Sequence, residues 1–171
     1  MSATSKEEIY FAVCNSILKL EVEKGHLKWT LSDISRESTV TRSLIYYYFG
    51  KEKSIILEEA YKFIIDIFFT GGKHGLGVKD RIKKAVHDTQ AMPYLLVLYY
   101  LQRNQDTPFG RMIKKAENML LDHLQKDYPE LSPNEILSVY LMELGAIVFQ
   151  LDPAKSDELF ASYTRKSAVY T

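Results

Sequence analysis

Ile9, Ala12, Val13, Ile17 and Leu20 recur every three or four positions, the spacing that lines one face of an α-helix, and Gly25 stands where that helix should stop. A second start follows at Thr30, an N-cap candidate three residues before Asp33, with Ile34 and Leu31 turned inward. After a break near Ser38-Thr39-Val40, Thr41 can cap a third helix carrying Leu44, Ile45 and Tyr48. Leu57, Ala60, Tyr61, Ile64, Ile65 and Phe68 mark one face of a fourth. Beyond the glycine-rich stretch TGGKHGLG at 70–77, helices are expected at about 79–91, 93–104, 108–127, 133–150 and 154–168. Pro93, Pro108, Pro133 and Pro153 each fall near a start, where the missing N–H of proline does least harm. No run alternates as a strand does, so the chain reads all-α.

The segment TVTRSLIYYYFGKEK, residues 39–53, fits that picture badly as plain core. Tyr46, Tyr47 and Tyr48 are consecutive, so on a helix they point about 100° apart and cannot all face inward. Tyr48 and Phe49 are expected in the core and Tyr47 outside it. A short helix, a turn of about three residues and a second short helix beginning with small polar residues is the helix-turn-helix pattern. Its second helix lays its first turn in the major groove of DNA, where short or forked donors such as Thr41, Arg42 and Ser43 reach base edges.

Around those residues the sequence resembles the DNA-binding domain of TetR-family transcriptional regulators. In TLSDISRESTVTRSLIYYYFGKEKSII, preceded by a helix ending in EKG, the residues Gly25, Thr30, Asp33, Ile34, Val40, Ile45, Tyr46, Tyr47 and Phe49 stand where that pattern has its counterparts. The resemblance covers about 45 residues; the rest matches in length and class alone. It implies a three-helix DNA-binding domain over 1–52, then a helical effector-binding and dimerisation domain over 53–171 whose first helix, 53–69, connects the two. It further implies that Thr30 caps the second helix and contacts phosphate, that Arg42 and Ser43 read bases, and that Tyr46 and Tyr47 lie against the groove wall and backbone. Thr41, Lys51 and Lys53 complete the expected DNA-facing set. Three residues depart from the pattern: Thr39 replaces a turn glycine, Tyr48 a frequent histidine, and Glu52 a common phosphate-contacting lysine, although Lys51 and Lys53 flank it.

In the C-terminal part, PYLLVLYYLQR at 93–103 is apolar all round, which predicts an enclosed helix. By the resemblance, Tyr94, Leu98, Tyr99 and Met92 line an effector pocket with Phe63 and Met119; ordinary core packing reads the same in sequence. Glu143 lies among apolar neighbours, and a buried lone carboxylate is costly unless paired. It could bind a cationic effector, bridge to Arg103 or Arg111, or face solvent. Gly145-Ala146 allows close approach of another helix. The family dimerises through its last two long helices, here within 133–168, so a homodimer on a near-palindromic double-stranded operator is implied, with an unidentified small-molecule effector.

Charge adds no global basic field, because Lys plus Arg equals Asp plus Glu at 22 each. No stretch of about 18 apolar residues could cross a membrane, the first residues lack the basic start and apolar run of an export signal, and Cys14 is the chain's one cysteine, a combination that points to the cytoplasm. An enzyme fits poorly. His26, His74, His87 and His123 show no ligand spacing, and no catalytic residue, metal or cofactor is expected. Two functions stay open: a DNA-binding regulator, most simply a repressor released by its effector, and a helical interaction module whose DNA-reading face has fallen silent, favoured by neutral charge, Thr39 and Glu52.

Overall fold

The computed structural model describes residues 5–66, Phe69 and residues 78–161, and within them the chain is all-helical. The first helix, α1 (Lys6–Lys24), starts at a reciprocal cap: the Ser5 hydroxyl accepts from the Glu8 amide while the Glu8 carboxylate accepts from the Ser5 amide. It ends at Gly25, whose φ of 91° is open to glycine and strained for other residues. Its buried side chains include Val13, Cys14, Ile17 and Leu18. Burial pushes the Cys14 thiol well above its usual range, with the Glu59 carboxylate adding to the shift.

Helices α2 (Leu31–Ser38), α3 (Arg42–Phe49), α4 (Lys53–Ile65) and α6 (Pro93–Arg103) join α1 in one compact unit, residues 1–66 with 92–113. Here α1 packs on α2, α4 and α6, and α3 packs on α2 and α4. Ile34 of α2 and Ile45 of α3 are fully buried. Each such side chain contributes about 2 kcal/mol by leaving water. A second unit comprises 67–91 and 114–171. It holds α5 (Val78–Ala91), most of α7 (Pro108–Asp127), α8 (Pro133–Val148) and α9 (Pro153–Leu159). Its core gathers Ile82, Leu124, Tyr128, Leu131, Ile136, Val139, Tyr140, Ala146 and Phe160. Ser132 and Glu135 form another reciprocal cap at the start of α8, and Asp152 caps α9 through the Ala154 amide.

Several expectations meet corrections here. Glu143 is buried, and it pairs with Arg81 of α5, a partner the sequence did not suggest. Sequence spacing could not find that pair, because the two residues meet only once α5 packs on α8. The helix over 93–103 is not enclosed: Leu95 and Leu98 are buried, whereas Val97, Tyr100 and Leu101 are exposed. The glycine-rich break at 70–77, the last turn of the helix expected to reach 69 and the end of the one expected to reach 168 involve residues outside the described ones.

Candidate nucleic-acid interface

The turn between α2 and α3 is closed by serine hydroxyls. Ser38 Oγ donates to the Ile34 carbonyl at 2.7 Å and accepts from the Val40 amide at 3.2 Å, while Ser35 Oγ donates to the Val40 carbonyl at 2.7 Å. Between them Thr39 takes the left-handed conformation, φ 58° and ψ 10°, that glycine adopts without strain. Its hydroxyl donates to the Ser38 carbonyl at 2.7 Å. The pair α2–turn–α3 is thereby a helix-turn-helix, braced by Ile34 and Ile45 and by the half-buried Leu31 and Val40.

The aromatic run sorts by face. Phe49 is buried, Tyr48 is half-buried, Tyr46 is 38% exposed and Tyr47 is 76% exposed. Tyr10 of α1 holds the inner side: its ring packs on Phe49 with centroids 4.5 Å apart, and its hydroxyl donates to the Tyr48 carbonyl at 3.3 Å. Outside, the Tyr47 ring meets Tyr48 edge-on at 4.9 Å, and the Lys51 ammonium sits 5.7 Å from the Tyr46 ring centroid.

Thr41, Arg42 and Ser43 are all exposed at the start of α3. Thr41 occupies the N-cap, but its hydroxyl pairs with Ser43 Oγ at 3.1 Å, so no side chain caps the first amides of α3. Those amides stay available to an anion at the positive end of the helix. Arg42 Nη1 reaches Ser32 Oγ at 3.5 Å. Ser32 is exposed in the first turn of α2, and sequence reading missed it because a lone serine there carries no periodic signal.

Two of the expected DNA-facing residues are otherwise engaged. The Thr30 hydroxyl donates to Asp33 Oδ2 at 2.8 Å and accepts from the Asp33 amide, and the Thr30 amide donates to the same carboxylate. Its single hydroxyl proton is used, so Thr30 caps α2 with no donor left for phosphate. Lys53 donates to the Leu27 carbonyl at 3.2 Å and lies over the Trp29 ring, which turns its charge toward the α1–α2 turn. Lys51 remains exposed, as does Glu52, the N-cap residue of α4.

Asp33 anchors the lower edge of this face. Lys24 Nζ and Arg36 Nη2 both lie 2.7 Å from its Oδ1. The Lys24 hydrogen bond, followed by those from Thr30, holds the Asp33 carboxyl well below the usual carboxylate range.

The residues expected to wall an effector pocket are divided between the two compact units. Phe63, Met92, Tyr94, Leu98 and Tyr99 belong to the first compact unit, Met119 and Glu143 to the second. Phe63 packs near Tyr10, Tyr94 donates to the Glu23 carboxylate at 2.9 Å, and Met92 and Leu98 are core. Tyr99 is half-buried and Met119 is 42% exposed. Glu143 borders a void of about 20 Å³ beside Arg81 and Tyr140, room for a water molecule at most. Among the described residues no group of His, Cys, Asp or Glu could hold a metal ion.

No protein-family model matches the chain, and no curated protein matches it by sequence. A solved structure from Rhodococcus sp., assigned to the TetR family of transcriptional regulators, aligns over 91% of this chain and 96% of that one, with a TM-score of 0.48 and 14% identity. A likeness of that degree carries no functional assignment, and α2 and α3 must be judged by their own geometry.

Proposed function

We propose that the chain is a sequence-specific, double-stranded DNA-binding transcriptional regulator that works as a homodimer, in its simplest form a repressor released by a small-molecule effector. The observation that carries this reading is the first turn of α3. Thr41, Arg42 and Ser43 project from it beside amides that no side chain caps, on a helix fixed from behind by Ile34 and Ile45. Arg42 offers a forked donor to a guanine edge, and Tyr47 offers a hydroxyl to a phosphate oxygen.

Dimerisation is supported by α8. Leu137, Leu141, Val148 and Phe149 are exposed at helical spacing, and a Cβ built on Gly145 would meet nothing within 4 Å. That stripe suits the same stripe on a second copy, which would give two α3 helices and a near-palindromic operator. An effector shifts such a dimer between DNA-competent and incompetent states only by binding one of them better; about ten-fold preference corresponds to about 1.4 kcal/mol.

Anisotropy of labelled DNA from upstream of the gene, competed by scrambled duplex at two salt concentrations, tests the reading. Saturable binding that resists the competitor and weakens with salt supports it. Arg42→Ala should then relax base preference by about 1–3 kcal/mol, while Tyr47→Phe weakens all sequences alike. The exposed Glu52 favours a second reading, an interaction module without DNA affinity. Failure to prefer the native fragment even at low salt selects it.

A further inference from the structure

The first compact unit contains a cleft that neither the recognition helix nor the expected effector residues explain. It measures about 510 Å³ and lies between the α1–α2 turn (His26, Leu27), the first half of α4 (Ser54, Leu57, Glu58, Tyr61) and the end of α6 with the start of α7, from Gln102 to Met112. That volume falls inside the range of about 300–1,000 Å³ typical of small-molecule sites.

Its floor is aromatic and apolar. The Tyr61 and Phe109 rings stack face to face with centroids 3.7 Å apart and planes 8° from parallel, and Leu57 and Met112 extend the surface. Gly110 lets α7 start this close: a Cβ there would stand 2.3 Å from the Gln105 carbonyl oxygen and 2.6 Å from that of Gln102. Those backbone atoms cannot move aside cheaply, so this glycine sets the wall. Leu27 likewise sits at φ 54°, held by the buried Glu21 carboxylate, which accepts from the Leu27 amide at 3.1 Å and from Trp29 Nε1 at 2.6 Å.

The ionisable groups of the lining already have partners. Glu58 pairs with Lys62 at 2.8 Å, and His26 Nδ1 lies 2.5 Å from Glu21 Oε1. The Tyr61 hydroxyl is raised above its usual range by burial, with Glu21 adding to it, and stays a neutral phenol. What remains for a guest at the rim is uncharged: the amide of Gln105, the NH2 of Gln102, whose oxygen accepts from the Thr107 hydroxyl at 3.0 Å, and the hydroxyl of Ser54. We propose that this cleft binds an uncharged, amphipathic small molecule, its flat apolar part on the Tyr61–Phe109 stack and its polar end at Gln102, Gln105 and Ser54. The site does not depend on α3 reading DNA, so the two proposals fail separately.

Two dyes of similar size test it, neutral phenylnaphthylamine and the anionic anilinonaphthalene sulfonate, each titrated by fluorescence into the intact chain. The neutral dye should saturate at one site per chain and bind at least about ten-fold more tightly than the sulfonate, a difference of about 1.4 kcal/mol. Met112→Trp, which fills the cleft, and Ser54→Trp, which blocks its rim, should each weaken the neutral dye about ten-fold while helical circular dichroism is kept; Glu7→Trp, exposed near the start of α1 and outside the lining, should change nothing. Should either blocking variant lose its helical signal, the other and the two-dye comparison decide. No saturable binding of the neutral dye, equal affinity for both dyes, or undiminished binding in a folded blocking variant overturns the assignment.

Discussion

Thr39 carries a cost that its neighbours absorb. A β-branched residue at φ 58° is crowded by its own backbone, and the turn persists because Ser35 and Ser38 tie both sides of it. Thr39→Gly should therefore raise stability by about 1 kcal/mol, read as a higher urea midpoint with unchanged slope. Asp33 works in the opposite sense. Its carboxyl is held below the unfolded value, so its contribution is complete above the ordinary aspartate range near pH 4 and fades as pH falls through the folded value. Asp33→Asn should be less stable than the parent at pH 7, and the gap between their urea midpoints should narrow when both are measured near pH 3. A gap that stays constant would mean that Asp33 acts by shape alone. The sequence disclosed the strain at Thr39 and the cap at Thr30, because both follow from local backbone rules. It did not disclose that Lys24 reaches Asp33, nor that Lys53 turns to Leu27, since those are tertiary choices.

Between elements, the α5–α8 contact is the one most exposed to single substitutions. Arg81 and Glu143 are both buried, so removing Glu143 takes from the Arg81 charge its carboxylate in a medium that solvates it poorly. Glu143→Ala should cost about 3–5 kcal/mol in chemical denaturation, whereas the double change Arg81→Met with Glu143→Leu should recover most of that loss. Helix positions themselves were legible from periodicity and caps. The direction of α6 was not, because an apolar helix looks the same whether covered on all sides or open on one, and Val97, Tyr100 and Leu101 lie on an open side. Residues such as Met119 and Tyr94 are apolar or aromatic enough for a pocket, but which unit each joins is decided by chain connectivity.

For the whole molecule, the proposed dimer rests on the open stripe of α8. Leu141 is 57% exposed at its middle. Leu141→Glu places a charge where an apolar partner is expected, so the variant should sediment as a monomer at micromolar protein while the parent sediments as a dimer; helical content should be equal in both. A parent that is monomeric would remove the two-half-site operator. Net charge is zero over the chain, which leaves any attraction to DNA to a local face bearing Arg42 and Lys51 against Glu52. Composition could therefore say nothing of that face, and only the order of residues from 39 to 53 made it visible.

The single thiol of the chain has a practical meaning of its own. Cys14 has no solvent-accessible surface and its proton is held tightly by burial, so a disulfide reagent cannot reach it in the closed unit. Modification must wait for α1 to part from the helices around it. The speed of labelling is then a clock for that opening, read without adding a probe, and a molecule that clamps the unit shut would slow it.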